Sequence, residues 1–450
     1  MPVLSTPPID DHILDYHFPE TEETTLANGL KLVVLTRPEL PRITFRLGFH
    51  LGDKYDGDLP GKADLLAALL KKGCRGYTAD AFADAIDLMG GYLDSASNND
   101  SFFVYGTFLS EFTEKSLAMM FEAVRFPAFE AGELDREKRR MIADLENEKS
   151  SPGYLGQLLL QQKLYPGHPY GAYKTAASLQ AIEVAHLREM RDSFLCPQGA
   201  TLVVCGDTDL AEIRDICQRY GGDWAGAPTG ANVLAAPREI RAGGRYFIER
   251  PGSEQATVLM GFPLFKRTHG DYPATVVANK ILGGGANSRL FMHLREEKGF
   301  TYGAYSSLNC YQESGSWIAS GDMRSDALLE SVRGFEGEFR QMVDKPVDAE
   351  ELRNAKRFLV GVFPLRNESA AAQSGLVIFQ RLFGLPADYW TTYLEEIAAI
   401  DAGEIRRIAA SYLVPEKMTL VVVGDWAVLQ DQMRQIGDCQ RLDIHFNAIG

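Results

Sequence analysis

The sequence predicts an α+β fold of two tandem homologous domains, each a mostly antiparallel sheet with helices packed on one face. Two observations carry this prediction: an internal repeat, and an order of elements in which hairpin strands precede long helices. The length of 450 residues agrees with it, because a single hydrophobic core rarely grows that large.

The repeat is clearest in two segments that lie 218 positions apart. Residues 195–207 read LCPQGATLVVCGD and residues 413–425 read LVPEKMTLVVVGD, so that Pro197 aligns with Pro415. The same offset relates residue pairs upstream of these segments, over about 70 residues in all. One offset held over that length indicates a duplicated structural unit.

The composition between the two copies marks their junction. Residues 221–244 are rich in Gly, Ala and Pro and show no sustained hydrophobic period, which is typical of a linker. We therefore predict a first domain at residues 1–220 and a second domain at residues 245–450.

Local signals predict the elements of the first domain. Asn28-Gly29 between two apolar runs is a two-residue hairpin signal, and residues 43–51 alternate like a half-buried strand. A second hairpin is predicted across residues 98–100. Long helical patterns follow at residues 110–124, 131–149 and 153–164.

Charge and composition exclude several classes of function. The net charge is −15 and the chain has no dense Lys/Arg cluster, whereas nucleic acids and anionic membranes require a positive face, so we expect neither as a partner. The six cysteines include no Cys-x-x-Cys pair and indicate no disulfide framework. No signal-peptide pattern is visible at the N-terminus, so we expect a cytoplasmic protein, or a periplasmic one if a signal peptide has been removed.

Two segments carry chemical information. Residues 61–73 read GKADLLAALLKKG, a predicted helix, and in the second domain three consecutive glycines precede LREEKGFTYGAYSS at residues 294–307. Together with the two α+β halves, these segments resemble the pitrilysin/insulinase-type metallopeptidases, in particular the half-length bacterial branch similar to mitochondrial processing peptidase. The resemblance runs over nearly the whole chain.

The resemblance implies an H-x-x-E-H zinc motif on the first of these segments, but the motif is missing. Asp64, Ala67 and Ala68 stand at the positions of the first His, the catalytic Glu and the second His, and Asp144 stands at the distal ligand position. Alanine has no lone pair, and a catalytic zinc needs three protein ligands, so we predict no metal site in this chain. Asp64 and Asp144 are either incidental or hold a weak cation.

The resemblance also implies two catalytic residues in the second domain. In the family, an Arg and a Tyr seven residues apart face the zinc, and Arg295 and Tyr302 have this spacing. Donors of this kind stabilise the oxyanion that develops on a scissile carbonyl. The alternative is a surface Arg in a local ion pair with Glu296 or Glu297, and a Tyr on a buried strand face.

Two further features suit a peptide substrate. The turn at Gly283, Gly284 and Gly285 lets a peptide backbone approach closely, although such a turn also caps a helix. The predicted strand Tyr92–Ser97 resembles the edge strand on which substrates of the family lie extended. An ordinary hairpin strand explains the same pattern equally well.

These observations predict the zinc-less subunit of a heterodimeric zinc endopeptidase. The chain itself would bind no cofactor and be inactive alone, while a homologous partner subunit would hold the zinc and a peptide would be the substrate. The alternative is a catalytically inert peptide-binding or structural scaffold of the same fold. A self-sufficient homodimeric peptidase does not fit, because Ala67 and Ala68 replace essential groups.

Overall fold

The computed structural model describes residues 18–229, 237 and 243–449, which form two halves built around one six-stranded sheet each. Part of the predicted linker at residues 221–244 therefore lies outside the described residues. Of the helices described, none is long and apolar enough to cross a membrane.

From residue 18 onward, where its description begins, the first half contains six strands and eight α-helices. The strands are β1 (Glu22–Thr25), β2 (Lys31–Thr36), β3 (Arg42–Phe49), β4 (Tyr92–Ser97), β5 (Phe102–Leu109) and β6 (Thr201–Gly206). The helices are α1 (Lys62–Leu70), α2 (Ala79–Asp87), α3 (Thr113–Arg125), α4 (Ala131–Glu148), α5 (Pro152–Leu164), α6 (Ala176–Ala181), α7 (Val184–Phe194) and α8 (Leu210–Gly221).

The second half repeats this arrangement. Its strands are β7 (Arg245–Glu249), β8 (Gln255–Leu264), β9 (Thr301–Cys310), β10 (Gly315–Arg324), β11 (Thr419–Gly424) and β12 (Gln440–Leu442). Its helices are α9 (Tyr272–Leu282), α10 (Arg289–Phe291), α11 (Leu328–Asp344), α12 (Ala349–Arg366), α13 (Ala370–Leu382), α14 (Tyr389–Ala399), α15 (Ala402–Tyr412) and α16 (Trp426–Ile436). A π-helical turn, Met292–Glu297, continues α10.

The two sheets share the order of five strands and differ in the strand at one edge, where β1 precedes its neighbour in the chain and β12 is the last strand of the second half. The first runs β1-β2-β6-β3-β5-β4, and the second runs β12-β7-β11-β8-β10-β9. Three pairs are parallel, namely β2 with β6, β7 with β11 and β7 with β12, and the other pairs are antiparallel. The predicted α+β class with mostly antiparallel sheets is confirmed.

The offset of 218 positions is visible in the element boundaries. Helices α4, α5 and α7 begin 218 residues before α12, α13 and α15, and β6 begins 218 residues before β11. The hairpin predicted at Asn28-Gly29 joins β1 to β2, and Gly29 there has a φ of 90° that favours glycine. The repeat in the sequence is therefore a repeat of structure.

One helix of each half packs on the sheet of the other half, which the sequence did not indicate. Helix α5 contacts β8 and β11, whereas α13 contacts β3 and β6. Alternation along β2 shows the two layers: Leu32 and Val34 face the helices of the first half, while Val33 and Leu35 belong to the cluster that contains α13. Each sheet is therefore covered on both faces.

Two glycines make room for these exchanged helices. A Cβ on Gly261 of β8 would lie 2.8 Å from Leu160 of α5, and a Cβ on Gly48 of β3 would lie 2.8 Å from Ile378 of α13. Leu160 and Ile378 are themselves 218 positions apart. The close approach of helix and sheet is therefore the same at both contacts.

Candidate functional site

Helices α1 and α4 bring the three expected metal-ligand positions and the position of the catalytic Glu around one cavity. This cavity of about 300 Å³ is lined by Asp64, Ala67 and Ala68 from α1 and by Asp144 from α4. Spacings of three and four residues place the α1 side chains on one face of the helix. The buried leucines of α1 hold that helix against the core of the first half.

Cations of the chain itself pair with the carboxylates of this cavity. Lys174 Nζ lies 2.5 Å from Asp64 Oδ2, and Arg140 Nη1 lies 2.8 Å from Asp144 Oδ2. Burial lowers the pKa of Lys174, but the charge of Asp64 and its hydrogen bond outweigh burial and raise that pKa above the ordinary lysine value. The two carboxylates that the sequence left as candidates for a weak cation thus already have internal partners.

A third carboxylate, that of Asp53, lies near the ion pair between Lys174 and Asp64. It accepts a hydrogen bond from Ser97 Oγ at 2.7 Å, and its pKa is raised to about 6, chiefly by burial and next by the charge of Asp64. The charge of Lys174 opposes that rise. Lys174 therefore offsets the negative charge of two neighbouring carboxylates.

The donor groups of this cavity do not fit a zinc ion. Ala67 and Ala68 present methyl groups, and the backbone carbonyl of Ala67 accepts a hydrogen bond from Ser95 Oγ at 2.5 Å. Within the part of the chain that the structure describes, no group of three or more His, Cys, Asp or Glu side chains could hold a metal ion. A zinc site with three protein ligands therefore cannot be built here.

Arg295 lies in the π-helical turn Met292–Glu297. Turns of this kind are frequent at functional sites. Its Nε lies 3.5 Å from Glu296 Oε1, and its guanidinium carbon lies 4.6 Å from the centre of the Phe291 ring. The ion pair with Glu296 that the sequence left open is therefore present, but both side chains are about half exposed, and such pairs contribute little to stability.

Tyr302 lies in a β-bulge near the start of β9. The pairing of β9 with β10 shifts register between Gly321 and Met323, opposite Tyr302. Thr301 Oγ1 fixes this irregularity by donating a hydrogen bond to the carbonyl of Asp322 at 2.6 Å. A bulge re-aims side chains, and Tyr302 is 87% exposed, so the alternative of a Tyr on a buried strand face is wrong.

The three predicted substrate-binding glycines form the turn after α9. A Cβ on Gly283 would lie 2.2 Å from the backbone nitrogen of Ser306, and a Cβ on Gly284 would lie 2.7 Å from the Cα of Lys280. Packing within the chain therefore already requires glycine at both positions. Gly284 and Gly285 also line a groove of about 660 Å³, so their contact with a substrate stays a prediction.

The strand predicted to bind peptide, β4, lies at the end of its sheet, as β9 does in the other sheet. Ser95, Ala96 and Ser97 of β4 line the cavity at the expected metal position. An edge strand presents unpaired backbone groups that can accept an extended peptide. The geometry therefore allows a peptide at this edge, and its binding there stays a prediction.

Sequence reasoning missed the two cations that pair with Asp64 and Asp144 in the first-half cavity. Arg140 and Asp144 are four residues apart on α4, a spacing that could have indicated the pair. Lys174 is 110 residues from Asp64 in a loop, and no local pattern connects them. Only the folded chain brings Lys174 to this position.

Two family models match the chain, and both describe peptidase M16 domains. A family model described as "Insulinase (Peptidase family M16)" matches residues 32–172, and one described as "Peptidase M16 inactive domain" matches residues 181–359. The two matches lie in tandem, in the same order as the two structural halves.

Individual relatives carry differing descriptions. A Helicobacter pylori protein named "Non-peptidase homolog YmxG" is 25% identical over 85% of this chain and 88% of its own length. A Bacillus subtilis protein named "Uncharacterized zinc protease YmxG" is 23% identical over 77% of this chain and 84% of its own length. The names alone therefore do not agree on whether such proteins cleave peptides.

Solved structures share the fold. The structure of a peptidase M16 inactive domain from Pseudomonas fluorescens has a TM-score of 0.83 and 26% identity, over 90% of this chain and 98% of that chain. The structure of a protease from Helicobacter pylori has a TM-score of 0.82 and 18% identity, over 90% of this chain and 100% of that chain. At the latter identity the likeness shows the fold alone.

Proposed function

The chain belongs to the peptidase M16 family, and from this premise we propose that it is the zinc-less subunit of a heterodimeric zinc endopeptidase. A homologous partner subunit holds the zinc, and this chain supplies Arg295 and Tyr302 to that site. The chain is inactive alone, because Asp64 and Ala68 stand at its ligand positions and Ala67 stands at the position of the catalytic Glu.

The exposure of Tyr302 is the observation that carries this proposal. A large aromatic side chain that is 87% exposed contributes little to the core, yet the bulge at Thr301 holds its backbone in a defined irregular conformation. Arg295 is also partly exposed, seven residues earlier in the chain. Exposed aromatic and arginine side chains are typical of surfaces that act on a second molecule.

The chemistry assigned to the chain is electrostatic. The partner's zinc would polarise the scissile carbonyl and activate water. The Tyr302 hydroxyl and the Arg295 guanidinium donate hydrogen bonds to the carbonyl oxygen as negative charge develops on it. The turn at Gly284 and Gly285 would let the peptide backbone approach closely, because glycine has no side chain.

A second candidate is a catalytically inert peptide-binding or structural scaffold. The observation that favours it is the description of relatives: the Helicobacter pylori homologue is named a non-peptidase, and the Pseudomonas fluorescens structure is named an inactive domain. A scaffold has no use for the exposed hydroxyl of Tyr302, which is why we place this function second.

Isolation of the tagged chain from its native cells, followed by assays for zinc and peptide cleavage, tests the proposal. We expect a co-purifying chain of similar size, about one zinc per pair by metal analysis, and cleavage that a chelator abolishes. The chain expressed alone is the control and should show neither zinc nor cleavage.

Other results decide against the proposal. A chain recovered without a homologous partner, zinc or activity supports the scaffold. Zinc and cleavage from the chain alone would contradict the assignment of Asp64, Ala67 and Ala68 as a disabled motif.

A further inference from the structure

The second half contains a cavity of about 610 Å³ that is separate from the residues discussed above. It lies between the loop after β8, the turn before α14, and the helices α14 and α15. The residues that matter for its chemistry are Arg267 from the loop, Tyr272 at the start of α9, and Tyr389 and Glu396 from α14.

Arg267 is a buried cation on the wall of this cavity. It is only 5% exposed, its guanidinium carbon lies 3.6 Å from the centre of the Tyr272 ring, and its Nη2 donates a hydrogen bond to Tyr389 Oη at 2.6 Å. No Asp or Glu side chain of the described residues lies within ion-pair distance of it. A buried charge is costly without an anionic partner, and aromatic faces offset only part of that cost.

The first half shows what Arg267 lacks. Lys54 follows β3 as Arg267 follows β8, and its ammonium lies 3.0 Å from Asp100 Oδ1 in the turn between β4 and β5. The corresponding turn, between β9 and β10, meets Arg267 only through the backbone, where Arg267 N–H donates to the carbonyl of Tyr311 at 2.8 Å. Arg267 is therefore a counterpart of Lys54 without the carboxylate.

The same cavity also holds an unpaired carboxylate. Arg407 and Asp271 on its wall pair with each other at 2.8 Å. Glu396 is exposed and makes no ion pair or hydrogen bond with any residue that the structure describes, although its charge acts on Tyr389. Glu404 also lines the cavity and accepts a hydrogen bond from the backbone N–H of Asp401 at 3.4 Å. Among the described residues, Arg267 is thus the cation of this cavity that has no ion pair, and Glu396 is the carboxylate that has neither an ion pair nor a hydrogen bond.

We propose that this cavity binds a zwitterionic ligand, a short peptide or a free amino acid. Its carboxylate meets Arg267, its ammonium group meets Glu396, and its side chains lie against the rings of Tyr272 and Tyr389. In this arrangement one molecule supplies a charged partner to both Arg267 and Glu396. The proposal does not depend on the catalytic role assigned to Arg295 and Tyr302.

Calorimetric titration of the purified full chain tests this site. The probes are trialanine, its N-acetyl form, its C-terminal amide, and free alanine. We expect saturable binding of trialanine that weakens about tenfold or more in the C-terminal amide, because a hydrogen-bonded charge pair with a buried group is lost. Acetylation should weaken binding less, because Glu396 is exposed to water.

Comparison of trialanine with alanine identifies the source of the ligand. Tighter binding of trialanine assigns the site to peptides, and equal binding assigns it to amino acids. Equal affinity for trialanine and its amide, or no saturable binding of any probe, overturns the proposal.

Two variants locate the binding. Arg267→Gln removes the buried cation, and Gly270→Phe fills the cavity from a position where an added Cβ meets no atom within 4 Å. Both should abolish trialanine binding, and the second keeps the test valid if the first fails to fold. Arg441→Gln is the matched control, because Arg441 also stacks on a ring, that of Trp426, but lies outside the cavity. Unchanged affinity for trialanine in both cavity variants would contradict the proposal.

Discussion

The two halves of the chain share the order of five of their six strands but differ in where their polar groups find partners. In the first half, Asp64 and Asp144 pair with Lys174 and Arg140, so the cavity at the zinc-ligand positions satisfies itself. In the second half, Tyr302 remains at the surface. A partly buried carboxylate such as that of Asp64 is stabilised by an internal cation when no metal is bound, whereas an exposed hydroxyl costs nothing to keep. After duplication, one domain can therefore pair its polar groups internally while the other keeps polar groups exposed to a second molecule.

The largest effect is expected for Lys54→Met, which tests whether internal ion pairs stabilise the first half. The Lys54–Asp100 pair is almost fully buried, and Asp100 also accepts hydrogen bonds from Tyr170 Oη and from the backbone N–H of Gln312 in the second half. Removing one partner of a buried pair leaves an uncompensated charge and costs about 3–5 kcal/mol. Urea unfolding of the purified chain measures this loss.

Lys71→Met is the matched control in the same half. The Lys71–Asp94 pair has a similar distance of 2.7 Å, but both side chains are more than a third exposed. Solvent screening limits its contribution to at most about 1 kcal/mol. Equal losses of unfolding free energy in the two variants would contradict the view that an ion pair stabilises the first half according to its burial.

Tyr302→Phe in the assembled peptidase tests whether the exposed hydroxyl of the second half acts on a second molecule. If the hydroxyl donates to the developing oxyanion, its removal should lower kcat by about 10²–10³-fold. Assembly with the partner and thermal stability should not change, because the side chain is exposed. Steady-state kinetics with a fluorogenic peptide measures kcat and KM separately.

Tyr305→Phe is the control for this substitution. Tyr305 lies on the same strand and is 46% exposed, but its ring packs 5.6 Å from that of Phe291. We expect its kcat to stay near that of the unaltered complex. An unchanged kcat in Tyr302→Phe would remove Tyr302 from the mechanism, and a raised KM at constant kcat would reassign it to substrate binding.

The symmetry of the exchanged helices is tested by Gly261→Ala. The added Cβ would lie 2.8 Å from Leu160, and overpacking of this kind costs about 1–3 kcal/mol. Gly48→Ala should cost a similar amount against Ile378, because the two contacts are equivalent. Gly361→Ala, on α12, is the control: its Cβ meets no atom within 4 Å, and we expect no loss. A loss at Gly261 without one at Gly48 would show that the two helices are not equivalent.

Much of this fold could be predicted because its signals are local or repeated. Residues 195–207 and 413–425 revealed the duplication, and the structure places β6 and β11 within them. The exchange of α5 and α13 could not be predicted, because leucines such as Leu159 indicate burial without indicating which sheet covers them. Periodicity reports that a face is apolar and says nothing of its partner.

The candidate site likewise has features that the sequence could predict and features that it could not. Asp64, Ala67 and Ala68 share a helix face through spacing alone, so their place around one cavity followed from the sequence. The exposure of Tyr302 did not, because it depends on a bulge that forms only when β9 pairs with β10. The pairing of Lys174 with Asp64 likewise depends on a contact across 110 residues.

A small effect on stability is expected for Arg295→Gln, and this substitution separates the two roles left open for Arg295. If Arg295 serves the local pair with Glu296, its removal should change the unfolding free energy and nothing else. Because both side chains are about half exposed and the contact with the Phe291 ring is also near the surface, that change should stay below about 1 kcal/mol. If Arg295 also acts on substrate, kcat of the assembled peptidase should fall far more than stability does. Urea unfolding and steady-state kinetics on the same preparation give both numbers, and a loss of activity no larger than the loss of stability would leave Arg295 with the structural role alone.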